Sequence, residues 1–471
     1  MKKKKNQKTG ITAGTIVALV ISSMALVLAF ILLLIYWRPR AQREDYERIA
    51  STEYDTVFLS MFPLDTYREE DYALLRARKI MIVSYRIPLL SGMESYMQEI
   101  AESGNKVTTV YLGIRPDLTD PEDLRDFVNR YSHIDFEILI ANPSADYWRR
   151  LPQEAYEATL AAYTDMLTAI PRIPDANFYF MSSEEWLINN PANYIDEWLL
   201  SEDAAGTVMA YSYTSPRYLV EDAESAVRSL EEVTRKLRVE PEGFPDLSDV
   251  CVLFFGDSVI ANYTDSMSVP GVVNGLSGAC VYNLGYGGNS AARGAEDRIA
   301  LPDILEAFFQ GDLSELPSDE PVYEGIASYL ENPLEGKKQC FVINYGLNDY
   351  FKGYAISSED SYDVYTYCGA IRAAVKTIRE NAPDAQIILC TPNFITECEA
   401  GAEPHGPGGS VLADYVAAEI GLARELKVDL LDNYHELGIT AENSDLYLDD
   451  KVHPSLACRY LIGKRLCGAI R

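Results

Sequence analysis

An unbroken apolar run, Val250–Phe255, ends in Gly256-Asp257-Ser258. A run of that length, bounded by a turn signal, reads as a strand buried on both faces, the kind found in parallel sheets. Gly256 permits a sharp turn where the strand stops. Ser258 then stands at the carboxyl end of a strand, where open α/β sheets hold their ligands. The same junction also fits a plain turn followed by an N-cap, so this stretch alone does not make the serine a nucleophile.

Downstream, further strand-like runs alternate with helical patterns. Strands are expected at 250–255, 279–284, 339–345, 385–391 and 428–431, with helices at Asp363–Asn381 and Val411–Lys427 and a closing element, Val452–Leu466, helical after Pro454. Five parallel strands with helices on both faces is the flavodoxin-like α/β/α arrangement. Residues 311–336 and 395–410 read as insertions or lid loops over the strand ends. Upstream, residues 53–240 alternate in the same manner. Strands are expected at 79–85, 106–114, 136–142, 177–183 and 206–214, and helices at Gly92–Glu102, Gln153–Ile170 and Ala223–Leu237. That pattern predicts a second parallel α/β domain, and it holds no nucleophile–base set. Its histidine, His133, reads as a surface or loop residue. The polar and aromatic stretch 182–199 (SSEEWLINNPANYIDEWL) fits either a carbohydrate-like site or, better, a helix capped by Ser182 or Ser183 with Trp186 in the core. Residues 241–248, rich in Pro and Gly, read as the linker to the domain at 249–471.

With 471 residues, two folded units are expected. Five lysines precede an uncharged run over residues 10–37 that closes in Tyr36-Trp37. A helix of roughly 26 residues spans ~39 Å, enough to cross a bilayer. The run is longer than a signal-peptide core and ends without a small-residue cleavage site, so it reads as an uncleaved anchor. Residues 1–9 form the basic tail and 38–52 a charged connector. The charge bias puts the N-terminus inside and the body outside the cytoplasm. The net charge of −30 excludes nucleic acid as a natural partner.

All eight cysteines lie at or beyond Cys251. Several sit inside apolar runs, which favours buried free thiols over a disulfide framework. No CxxC pair or Cys/His cluster with zinc spacing occurs, and neither a metal nor a cofactor is expected.

The strand ends of the second half belong together. They carry Gly256-Asp257-Ser258, then Asn283 to Asn289 (NLGYGGN), then Gly346-Leu347-Asn348-Asp349, and Asp450-Lys451-Val452-His453-Pro454 near the end of the chain. A serine hydroxyl becomes a strong nucleophile when an imidazole takes its proton. His453 is the candidate base and Asp450, three residues earlier, the carboxylate that fixes its tautomer. The Ser258 N–H, the Gly285 N–H and the Asn348 amide are candidate donors to an oxyanion. Asp432-Asn433-Tyr434-His435 repeats the D-x-x-H spacing, but directly after a strand, and His453 is preferred for its His-Pro and terminal position. His405, in a Gly/Pro-rich loop, reads as solvated or as a lid contact. Asp257 and Asp349 read as braces of their turns.

In these four blocks the segment 249–471 resembles the SGNH (GDSL-type) hydrolases, with Ser258, Gly285, Asn348 and His453 at the positions that name the family. The resemblance implies a flavodoxin-like fold, metal-free ester or acyl-transfer chemistry, and Asp450 as the third member of the triad. It says nothing of residues 1–248. The expectation is an anchored extracytoplasmic serine esterase acting on O-acetyl or other O-acyl esters of envelope or secreted glycans. An O-acetyltransferase, a lipase or lysophospholipase, and a non-catalytic glycan-binding or scaffold protein are the alternatives.

Overall fold

A computed structural model of the chain describes residues 43–471, apart from 65, 74–78, 85–88, 214–215, 240–242, 295–298, 333–335 and 406–408. The expected anchor at 10–37 lies outside the described residues. Among the described residues, no helix is long and apolar enough to cross a membrane. Part of the expected connector is ordered: residues 43–51 are helical, with Ile49 buried and Asp45 accepting a hydrogen bond from Tyr96 Oη at 2.9 Å.

The chain forms two five-stranded sheets, every pair parallel. The first contains β1 (Thr56–Ser60), β2 (Ile80–Ser84), β3 (Thr109–Ile114), β4 (Asp135–Ile140) and β5 (Ala176–Tyr179), in the order β2-β1-β3-β4-β5. The second contains β6 (Val250–Gly256), β7 (Cys280–Gly285), β8 (Lys338–Asn344), β9 (Gln386–Cys390) and β10 (Asp429–Leu431), in the order β10-β9-β8-β6-β7. Read from either edge, both orders are the flavodoxin-like 2-1-3-4-5. The strand order reverses at β1/β3 in one sheet and at β6/β8 in the other, and a ligand crevice opens outside the strand ends at such a point.

Two expectations fail in the first half. The central strand β1 is absent from the strands expected on sequence, although TVFLS is buried throughout. Of the strand expected at 206–214, residues 206–213 belong instead to the helix Glu202–Tyr213. Its buried residues Ala205, Val208, Met209 and Ser212 follow the helical period, which outweighs the β-branched and aromatic content. In the second half, the insertion or lid loop expected at 311–336 is not wholly a loop. It contains the helix Pro321–Glu331, which lies against β7 so closely that a Cβ on Gly325 would stand 2.1 Å from the Asn283 carbonyl oxygen.

Strand β6 shows why the second sheet holds together. Val250, Val252 and Phe254 point into a core shared with the first half, while Cys251, Leu253 and Phe255 point into a second core with Phe341 and Ile343. The period of two sends alternate side chains to opposite faces, so a run apolar throughout fills both. The shared core reaches the first half through the helices Val269–Ser277 and Leu456–Ala469. All eight cysteines are free, six of them buried.

Candidate active site

The turn after β6 is set by close packing. A Cβ on Gly256 would lie 2.4 Å from Ile260 Cγ1 and 2.9 Å from the Asn344 carbonyl oxygen, so only glycine lets the chain turn there. Asp257 caps the short helix Ser258–Ala261, its Oδ1 accepting the Val259 N–H at 3.0 Å. Ser258 is thereby presented at the β6/β8 crevice.

The imidazole arrives from the far end of the chain. His453 Nε2 lies 2.9 Å from Ser258 Oγ, and His453 Nδ1 lies 2.6 Å from Asp450 Oδ2. The turn that folds Asp450 back onto its histidine includes Lys451 at φ +73°, a left-handed conformation that costs a non-glycine residue energy. Asp450 Oδ1 also accepts the His453 N–H at 2.8 Å and the Val452 N–H at 3.2 Å. Burial raises the Asp450 carboxyl, but these N–H groups and the imidazole outweigh it and hold the carboxyl below its ordinary value. The loop is closed by the Asp449 N–H on the His453 carbonyl at 2.9 Å, and Ser455 caps the final helix through the Cys458 N–H.

One of the expected oxyanion donors is engaged elsewhere. The Gly285 N–H donates to Asn283 Oδ1 at 3.0 Å. Glycine is needed there for packing: a Cβ would stand 2.7 Å from the Ala261 nitrogen. Further along the same loop, the Tyr286 N–H donates to the Gly256 carbonyl, the Gly287 N–H to Glu320 Oε2, and the Asn289 N–H to the Tyr286 carbonyl. Gly288, at φ +70°, is left as the loop residue whose N–H has no partner among the described residues. Its carbonyl accepts Lys352 Nζ at 2.6 Å. Neither Gly288 nor Lys352 is singled out by the sequence; the run of glycines after Asn283 is the available signal.

Asn348 stands at the start of the helix Leu347–Phe351 and its side chain is hydrogen-bonded to the Asp257 carboxylate. Asp257 is fully buried, and that burial pushes it up to about 6, against the opposing effect of the Val259 N–H, His453 and Asn348. Asp349 braces more than its own turn: its carboxylate accepts the Ala291 and Ala292 N–H groups at 3.0 and 2.9 Å, tying the loop after β7 to the loop after β8.

The first half reaches the same region. Asp449, next to Asp450, receives Arg217 Nη1 at 3.5 Å and the hydroxyls of Tyr211 and Tyr263 at 3.4 Å each. Arg217 also donates to the Asp445 carbonyl. The stretch 182–199 is part of this join. Asn190 Nδ2 donates to the Ser266 carbonyl at 3.0 Å, Ser266 Oγ donates to Asn193 Oδ1 at 3.1 Å, and Lys464 pairs with Glu185 at 3.7 Å. The expected serine cap is absent: Ser182 Oγ bonds the Ala141 carbonyl and Asn142, while Trp186 is buried as expected. Burial pushes the neighbouring Glu184 up to about 7.

The other histidines stand apart from Ser258. His435 Nδ1 bonds Asp432 Oδ2 at 2.9 Å on an exposed short helix. His133 is exposed at the amino end of β4. His405 is partly exposed and packs edge-on against Tyr350, ring centroids 4.8 Å apart.

Residues 254–458 match the family described as GDSL-like lipase/acylhydrolase. Solved structures similar to this chain include a possible lipase from Chitinophaga pinensis (17% identity, 46% of this chain and 96% of that one, TM-score 0.29). A carbohydrate acetylesterase from Sinorhizobium meliloti is 14% identical over 46% of this chain and 97% of its own, with TM-score 0.30. An aryl esterase of M. smegmatis is 16% identical over 46% and 97%, with TM-score 0.29. No curated protein matches the chain. Residues 254–458, a little under half of the chain, form a GDSL-like lipase/acylhydrolase domain.

Proposed function

We propose that residues 249–471 act as a serine esterase in which Ser258, His453 and Asp450 form the triad. The observation that carries the reading is the hydrogen-bonded row from Asp450 Oδ2 through His453 to Ser258 Oγ, at 2.6 and 2.9 Å. Ser258 Oγ attacks the ester carbonyl as His453 Nε2 takes its proton. The tetrahedral intermediate collapses to an acyl-enzyme, and His453 returns the proton to the leaving alcohol. Water, deprotonated by the same nitrogen, releases the acid. The oxyanion receives the Ser258 N–H, the Asn348 amide and the Gly288 N–H, the last taking the place expected for Gly285.

The substrate reading is an O-acetyl or other short O-acyl ester on an envelope or secreted glycan. Its support is the lysine-flanked uncharged run at 10–37, which would hold the body at an outer membrane face, and a negative net charge that suits a neutral ester better than a polyanion. The test is fluorophosphonate labelling of the full chain followed by release assays on acetylated glycans and on long-chain lipid esters. Labelling at Ser258 with acetate release from glycans is expected. Turnover of lipid esters alone would replace the glycan reading by a lipase, and a label elsewhere would remove the triad.

A further inference from the structure

The loop 395–410 carries a group of side chains that the ester chemistry does not use. One ligand atom from each of Cys398, Glu403 and His405 lies within 4.8 Å of the other two. It is the one such cluster of three or more His, Cys, Asp or Glu found among the described residues. The set comprises a sulfur, a carboxylate and an imidazole nitrogen, the donors that a borderline-soft divalent ion takes. A second observation concerns the same imidazole. His405 Nε2 is buried and has no hydrogen-bond partner. An imidazole nitrogen left so has lost its water and gained nothing in return. The ring packs against Tyr350 at 4.8 Å and Phe351 at 6.4 Å.

The local field suits a cation. Burial together with Glu403 and Glu397 pushes the Cys398 thiol above its ordinary range, against the opposing hydrogen bond of Tyr350. The one basic side chain paired there, among the described residues, is Lys451, 3.8 Å from Glu397.

We propose that Cys398, Glu403 and His405 bind one divalent transition ion of the zinc type, with water as the fourth ligand. Metal–ligand bonds of ~2.0–2.3 Å in a tetrahedron put ligand atoms about 3.3–3.8 Å apart, so the loop tightens by about 1 Å on binding. The Cys398 proton passes to solvent as the sulfur binds as thiolate. The ion makes and breaks no substrate bond. It fixes a loop that is itself joined to the triad turn, because the Thr396 N–H donates to the Lys451 carbonyl at 2.9 Å and Lys451 lies between Asp450 and His453. The spacing Cys-x4-Glu-x-His lacks a CxxC pair, and so carries no zinc signature in sequence.

The test strips the full chain with a chelator and titrates it with Co²⁺ alone, then with Zn²⁺. One equivalent of Co²⁺ is expected, with the intense visible bands of a tetrahedral site and a thiolate-to-cobalt charge-transfer band, both removed by one equivalent of Zn²⁺. C398S should abolish the charge-transfer band, and E403Q, a conservative change on an exposed side chain, should weaken binding at least ten-fold. C280S, at the other partly exposed cysteine, should change neither. No saturable binding, a weak octahedral spectrum without the sulfur band, or binding unimpaired in C398S and E403Q would overturn the site.

Discussion

Both sheets carry a serine at or just past the end of their first strand, and one of the two meets a histidine. Ser258 Oγ stands 2.9 Å from His453 Nε2. Ser60, at the end of β1, is closed on its own turn: its Oγ donates to the Phe62 carbonyl at 2.9 Å and accepts the Phe62 N–H at 3.2 Å. Gly113 on the neighbouring strand crowds it, since a Cβ there would lie 2.3 Å from Ser60 Oγ. The crevice above β1 and β3 is a cavity of about 390 Å³ lined by Met61, Phe62, Arg115 and Trp198. The Arg115 guanidinium lies 4.0 Å from the Trp198 ring centroid and pairs with Asp117. The two sheets are wound alike, so winding supplies a crevice and no more. The histidine beside Ser258 comes from the segment beyond the last strand of the second sheet. After β10 the chain runs through the turn Asp450–His453 into the final helix, whereas after β5 it continues to Val239 without a histidine.

The sharpest break between the two sheets is removal of each serine in turn. Ser258→Ala should lower kcat on p-nitrophenyl acetate by about 10⁴–10⁶-fold, the loss seen when a triad member is removed. Ser60→Ala should leave kcat within about two-fold, because its hydroxyl is used up locally. Equal losses from both would mean that the first half shares in the reaction. Next in size is Asn348, the donor on the loop after β8, whereas the polar groups that follow β3, Arg115 and Asp117, pair with each other. Asn348→Ala should cost about 10²–10³-fold in kcat with little change in KM. A change confined to KM would assign Asn348 to substrate binding.

Much of the second half is legible in sequence because its inner strands β6, β8 and β9 are largely buried on both faces and carry unbroken apolar runs. The four blocks at their ends are legible because each sits at a strand end or in the terminal loop. Gly285 misleads: the sequence marks where a side chain is excluded, and only the fold reveals that the excluder is the Ser258–Ala261 helix. Gly288 stays hidden until four of the five N–H groups in its loop are found engaged. In the first half, 206–214 has strand-like composition on a helical period, and β1 is too short for either period to declare itself. The role of 182–199 is out of reach, since Asn190 and Asn193 bond across to residue 266, a contact between halves that local pattern cannot encode.

Asp257 separates the halves by pH. The turn after β1 is Met61-Phe62 and holds no carboxylate, whereas the turn after β6 buries one. Asp257 is raised from its ordinary 3.8 to about 6 by burial. Between those values the folded protein holds a proton that the unfolded chain has released. The contribution is therefore fully present below the lower value and is lost as pH rises through the upper one. The span corresponds to about 2–3 kcal/mol. Denaturant titrations of the full chain at pH 4.5, 5.5 and 7.5 should give a stability that falls by up to this amount with rising pH, and Asp257→Asn should flatten its share. An unchanged slope in the variant would place the charge cost of this turn elsewhere.

The smallest effect probes the join itself. If residues 53–240 merely accompany the hydrolase half, cutting the Arg217–Asp449 pair should change nothing in catalysis. The geometry argues otherwise, because Asp449 precedes Asp450 directly and its N–H closes the loop on the His453 carbonyl at 2.9 Å. Both partners are about three-quarters buried, at 24% side-chain exposure each. A pair of this kind contributes roughly 0.5–1 kcal/mol, so Arg217→Ala should lower kcat about two- to five-fold. KM should stay put, because Arg217 bonds Asp449 on the loop that carries Asp450 and His453. Arg217→Lys keeps the charge but not the planar fork that reaches both Asp449 and the Asp445 carbonyl, and should recover only part of the loss. Full activity in Arg217→Ala would reduce the first half to a passive neighbour, whereas a shift in KM alone would move Arg217 from the triad loop to the substrate path.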